Sequence, residues 1–222
     1  MKINIGENTQ RNYYKREIRH TQKPGVCPQV GMMEEHIMIT DIQEKQLGKD
    51  SVYREGKLYC KLWDKEISVM LFDEDVTIEY AEKCAEAVNS MLPELVNAIC
   101  IAAKKYCIEF CEEISDEWRE ELNLAVPVDE NTPPVDMLKC FSPIGMVVES
   151  PQDPTRIGYQ LECNCDWEEE HGMEIDILDN KLVYLSSYNG ESPWDDHSDE
   201  EWNYAIRERR LIFICGVREK PE

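Results

Sequence analysis

The sequence predicts an α+β fold in which antiparallel β-meanders flank a buried helical pair. Three observations carry that expectation. Residues 52–72 and 157–187 alternate apolar and polar side chains in short runs broken by turn residues, the period-2 pattern of strands with one buried and one wet face. Between them, from Val76 to about Ile114, apolar residues recur at steps of three and four, the period of a helix with one buried stripe. With 42% apolar residues, a chain of 222 residues can close a sizeable core, as one large domain or two small ones.

The elements follow in order. Residues 1–34 are polar and basic, carry Pro24, Gly25 and Pro28, and read as an N-terminal arm. Residues 35–190 read as the α+β domain, with ordered structure starting near a short strand at His36–Thr40. Val52-Tyr53-Arg54 leads into a turn at Glu55-Gly56. Lys57–Trp63 then places Leu58, Cys60 and Leu62 on one face, Asp64-Lys65 makes a tight turn, and Glu66–Phe72 places Ile67, Val69 and Leu71 together. Asp73-Glu74-Asp75 reads as a helix start, because carboxylates suit the positive end of a helix dipole. Ile78, Ala81, Ala85, Val88 and Leu92 form the buried stripe of that helix. Pro93 breaks the pattern and opens a second helix running to about Ile114, apolar nearly all round at Leu95–Ala103. A short helix and a loop are expected over residues 115–131, and a helix at Val135–Cys140 after Thr132-Pro133-Pro134.

A strand is expected at Ile144–Glu149. Ile157–Trp167, Met173–Leu178 and Lys181–Ser187 form a meander. Its first joint is the acidic turn Glu168-Glu169-Glu170-His171-Gly172, and its second is the Asp179-Asn180 hairpin turn. Residues 191–222 read as an acidic loop, a capped helix and a C-terminal strand packed on the same domain. The cap is Ser198-Asp199-Glu200-Glu201, a capping box, with Trp202, Ala205 and Ile206 on the buried side of the helix.

Charge sets the functional expectation. The formal net charge is −22, and it is unevenly placed. Residues 1–23 carry a net +4 and residues 207–222 a net +2, which leaves −28 on residues 24–206. Between Glu162 and Glu201 there are fourteen acids and one base, Lys181. Such a body repels nucleic acid, which needs a Lys/Arg patch, and anionic membrane surfaces. It attracts a basic protein and speeds their encounter. The plain alternative is that the charge serves solubility alone. No run reaches the ~18 apolar residues that span a bilayer. Without a secretory apolar core near Met1, the ten cysteines are expected to be reduced, in a cytoplasmic or equivalent compartment.

The clusters that could carry chemistry have bland readings beside them. Cys163, Cys165 and His171 suggest zinc, but thiolate sites favour Cys-x₂₋₄-Cys knuckles. A Cys-x-Cys on a strand puts both thiols on one face about 7 Å apart, here beside Tyr159, Leu161 and Trp167, which is a core face. Cys100, Cys107 and Cys111 read as small buried hydrophobes on a helix. Glu170 and His171 could perform acid–base or metal-dependent chemistry, yet they lie in a turn with no matched nucleophile nearby. Asp195, Asp196, Glu200 and Glu201 lack the spacing of a calcium loop and read as a solvated helix start. No phosphate-binding, dinucleotide or serine-hydrolase motif is present. Neither a cofactor nor a metal is expected. Trp63, Trp118, Trp167 and Trp202 read as core, and Trp194, set in an acidic loop, as an exposed anchor.

Two pieces carry a resemblance. One is the strand Ile67–Phe72 running through Asp73-Glu74-Asp75 into the helix pair. The other is Tyr159–Trp167 followed by Glu168-Glu169-Glu170-His171-Gly172-Met173 and the hairpin with Lys181-Leu182-Val183-Tyr184. Over residues 50–190 the chain resembles an uncharacterised bacterial domain family of unknown function, some of whose members are similar to toxin-immunity proteins. The resemblance implies no catalytic residues. With the charge, it implies a non-enzymatic module that holds a basic protein partner such as a toxin domain. The residues expected to meet that partner are Glu168, Glu169, Glu170, His171, Trp194, Asp195, Asp196, Glu200 and Glu201. The alternatives are an enzyme centred on Glu170 and His171, and a structural or regulatory scaffold.

Overall fold

A computed structural model describes residues 39–47, 51–197 and 202–206. The expected arm at 1–34 and the strand at Leu211–Cys215 lie outside these residues, as do most of the strand expected at His36–Thr40 and most of the capped helix. The fold is α+β, and its strands form one open sheet. Seven strands lie in sequence order: β1 (Thr40–Leu47), β2 (Ser51–Cys60), β3 (Lys65–Leu71), β4 (Phe141–Val148), β5 (Gly158–Cys165), β6 (Glu168–Leu178) and β7 (Lys181–Ser187). Every neighbouring pair is antiparallel except β3 and β4, which run parallel with Ser68 opposite Gly145 and Leu71 opposite Val148. The two expected meanders are therefore joined edge to edge rather than held apart by the helices. A parallel pair needs a long crossover, and here the helices supply it.

The crossover contains α1 (Ile78–Asn89), α2 (Pro93–Glu113), α3 (Asp116–Glu121) and a 3-10 helix (Pro134–Lys139). Pro93 starts α2 as the sequence predicts, since its fixed φ suits the first helical turn. The start of α1 differs. Thr77 caps it by accepting a hydrogen bond from the Tyr80 amide at 3.1 Å. The acids before it are connection: Asp73 accepts from the Ser150 amide at 2.8 Å and ties the exits of β3 and β4 together. Ile78 and Leu92 are exposed, and Tyr80 and Cys84 complete the buried stripe in their place.

The helices cover one face of the sheet. Leu58, Ile67, Val69, Leu71, Met146, Leu161, Ile175 and Ile177 meet Ala81, Ala85, Ile99 and Ala103 in one apolar cluster. The eight cysteines among the described residues are free thiols, all buried except the half-buried Cys111. Burial pushes the Cys165 thiol up to about 12 and Cys163 well above its ordinary value, so both stay protonated as core atoms.

Two other expectations change. No turn interrupts β2 at Glu55-Gly56. Gly56 sits where β1 comes close: a Cβ there would lie 2.6 Å from Ile39 and 2.9 Å from the Thr40 carbonyl oxygen. Leu62 is exposed because the chain turns at residues 61–64 before its alternation can reach the core. At the far edge, the buried Asn203 donates to the Val183 carbonyl (2.8 Å) and accepts from the Leu185 amide (3.3 Å), pairing the outer side of β7.

Candidate protein-docking site

The acidic stretch is not the turn between β5 and β6. Asp166-Trp167 make that turn, and Glu168 already pairs with Cys165. Pairing resumes only at Cys163 opposite Met173, so Glu169–Gly172 are extra residues thrown out of the ladder as a bulge. Gly172 makes this fold feasible. Its φ is +72°, and a Cβ there would lie 2.5 Å from the Cys163 carbonyl oxygen.

Glu168 holds the bulge from inside. One carboxylate oxygen accepts from the Glu170 amide (3.2 Å) and the His171 amide (3.3 Å). The other lies 3.1 Å from His171 Nδ1. Glu168 is therefore a buried brace rather than a surface acid, with its side chain only 10% exposed. It also replaces Glu170 as the carboxylate that His171 meets. Trp167 anchors the turn beneath, fully buried and edge-on to Tyr106 at 5.6 Å. Asp166 accepts from the Ala125 amide at 2.8 Å, which ties the turn to the loop after α3.

The brace presents Glu169, Glu170 and His171 to solvent, facing the junction of α2 and α3. Ser115 caps α3 by accepting from the Trp118 amide. Arg119 folds α3 back on α2, donating to the Cys111 carbonyl at 2.6 Å and the Ile114 carbonyl at 3.3 Å. Between bulge and helices lies an open groove of about 430 Å³. Phe110, Ile114, Trp118 and Leu122 give it an apolar wall, and Glu121, Glu169, Glu170 and His171 rim it. Trp118 is 65% exposed, the most exposed large apolar side chain among the described residues.

The remaining expected site residues do not line this groove. Trp194 is half-buried and packs toward the core, its ring lying against Gly158, so it is a plug rather than an exposed anchor. Asp195 and Asp196 are exposed on the same loop. Glu200 and Glu201 lie outside the described residues. Sequence reasoning placed Trp118 in the core by default, and the exposed aromatic it sought in Trp194 stands here instead. The signal was available in the acids around it, Asp116, Glu117, Glu120 and Glu121, which leave a six-residue helix without a buried residue.

The groove sets an apolar wall beside carboxylates, and no Ser, Thr, Cys or Lys lines it. Among the described residues, no three His, Cys, Asp or Glu side chains gather closely enough to hold a metal ion. No described helix is long and apolar enough to cross a membrane.

Fold and groove together define a one-sheet α+β domain with an acid-rimmed apolar cleft. The chain belongs to the family described as Domain of unknown function (DUF6985), whose model matches residues 41–192. No curated protein and no solved structure matches it.

Proposed function

We propose that the chain is a non-enzymatic protein-binding module that seats a basic, apolar-anchored segment of another protein in the Trp118 groove. The carrying observation is the pairing of an exposed tryptophan with a carboxylate rim. A partner side chain fills the apolar wall, and flanking Lys or Arg residues meet Glu121, Glu169 and Glu170. The −28 carried by residues 24–206 steers the encounter. The resemblance to a family some of whose members are similar to toxin-immunity proteins makes a basic toxin domain the leading partner, silenced by steric and electrostatic occlusion of its working surface. Asp195 and Asp196 extend the acidic surface beyond the groove.

The test uses surface plasmon resonance with a synthetic leucine–lysine peptide and its leucine–glutamate counterpart. The lysine peptide binds and the glutamate peptide does not, with an association rate that falls steeply as salt rises. Trp118→Ala weakens binding by about 2 kcal/mol or more, the loss typical of a central aromatic anchor. The double variant E169Q/E170Q acts mainly on association rate, at about 0.2–1 kcal/mol per charge. Binding that ignores both salt and Trp118 removes the reading.

A further inference from the structure

The sheet face turned away from the helices holds a cluster that the groove does not use. The alternation of β6 predicts a wet face here, yet Met173–Ile177 are all buried. Glu174 and Asp176 share that face, and each is 0% exposed. Residues 189–197 cover them. Glu174 accepts backbone hydrogen bonds from Asn189 (3.0 Å), Gly190 (2.7 Å) and Glu191 (2.9 Å). Gly190, at φ +76°, lets these consecutive amides converge on one carboxylate. Gln160 of β5 donates to the Glu191 carbonyl at 2.6 Å. Ser192 bonds Glu149, and Trp194 lies on Gly158. His197 closes the segment, with Nε2 2.8 Å from the Ser192 carbonyl oxygen and its ring 5.0 Å from that of Tyr184.

Asp176 lacks such support. Both its oxygens are buried without a close hydrogen-bond partner, the Gln160 amide gives them only weak support, and His197 Nε2 stands 3.8 Å away. The groups facing it are Glu174 on its own strand, Gln160 and Glu162 from β5, and Tyr184 and Ser186 from β7. Glu149 faces it from the end of β4, and Glu191 and His197 from the covering segment. Among the described residues, no lysine or arginine faces it. Burial first, and the charge of Glu174 second, push the Asp176 carboxyl well up from its ordinary range.

We propose that Asp176, in its protonated form, latches residues 189–197 over the sheet, and that loss of its proton as pH rises releases the segment. With the proton present, Asp176 is a neutral carboxylic acid beneath the segment. When the proton leaves to solvent, a bare carboxylate stays buried beside Glu174, an arrangement proteins relieve by admitting water. Release uncovers Glu174, Asp176, Gln160 and Ser186 as a second acidic surface.

The test is amide hydrogen exchange at residues 189–191 in the full chain, corrected for the intrinsic pH dependence. It runs from about pH 5 to about pH 9, a span that lies above ordinary carboxyl titration near 4 and so reads only carboxyls that are raised. Protection in the wild type should fall about tenfold or more across it, since each unit of pKa difference between closed and open forms is a factor of ten. D176N, with an amide that carries no charge, should lose most of that fall, keeping only the part that Glu174 and Glu149 contribute. H197Q keeps a donor for the Ser192 carbonyl and leaves Asp176 in place, so it should retain the fall. A flat wild-type profile, or the same pH dependence in D176N, overturns the latch.

Discussion

At the scale of single residues, the proposed docking surface depends on one backbone conformation and one carboxylate. Gly172 has a left-handed φ, and a Cβ added there would lie 2.5 Å from the Cys163 carbonyl oxygen, so Gly172→Ala meets strain and clash together. The cost should be about 1–3 kcal/mol, by the scale of left-handed strain in a non-glycine residue, read by urea denaturation. Peptide binding in the groove should weaken as well, because Glu169 and Glu170 would no longer be aimed across it. An unchanged midpoint would mean that the bulge re-forms elsewhere. The sequence reveals the Glu-Glu-Glu-His-Gly stretch as a break in strand alternation. It does not reveal that Glu168 points inward while its two neighbours point out. That difference arises from three hydrogen bonds closed only in the folded bulge. Trp118 and Trp194 show the same limit: composition places both among acids, but only packing decides which one meets Gly158.

At the scale of elements, the legible features are those with a local cause. Pro93 starts α2, and Asp179-Asn180, both at positive φ, form the tight turn that fits the twist of a hairpin. Ile67, Val69 and Leu71 alternate into the core as their spacing requires. The misread elements have non-local causes. Gly56 looks like a turn residue but marks the close approach of β1, and Asp73 looks like a helix start but binds the distant Ser150 amide. The cap of α1 is Thr77, so Thr77→Ala should cost about 1 kcal/mol. Asp73→Ala, by contrast, should act through the β3–β4 junction and leave helix content unchanged. Thermal denaturation with far-ultraviolet circular dichroism separates the two.

At the scale of the whole molecule, the buried carboxylates set an unusual pH response. Glu149, Glu162, Glu174 and Asp176 all lie above the ordinary carboxyl range, chiefly through burial. A raised carboxyl pKa means that the folded state keeps protons the unfolded state has released. The associated stability is complete below the unfolded value of about 4 and is lost as pH rises through the folded values. The melting temperature should therefore be higher near pH 5 than near pH 8, and a calorimetric series with the opposite slope would contradict the assignment. At still lower pH the balance reverses: burial raises the Asp179 carboxyl, but the bonds to Arg156 and the Ile157 amide together outweigh it and hold the group low, and protonation loses that pairing. The net charge of the chain was legible from the first reading. The burial of its acids was not, because β6 alternates like a half-wet strand and only the returning 189–197 segment makes it dry.

Asn203 closes the outer side of β7 with a side-chain amide that copies the hydrogen-bonding face of one more strand. A free strand edge is the usual template on which sheets extend from molecule to molecule. A single buried amide occupies that template at Val183 and Leu185, and among the described residues β7 is the last strand on this side. The charge-led association proposed above can then proceed at high local concentration without seeding fibrils from this stretch of the margin.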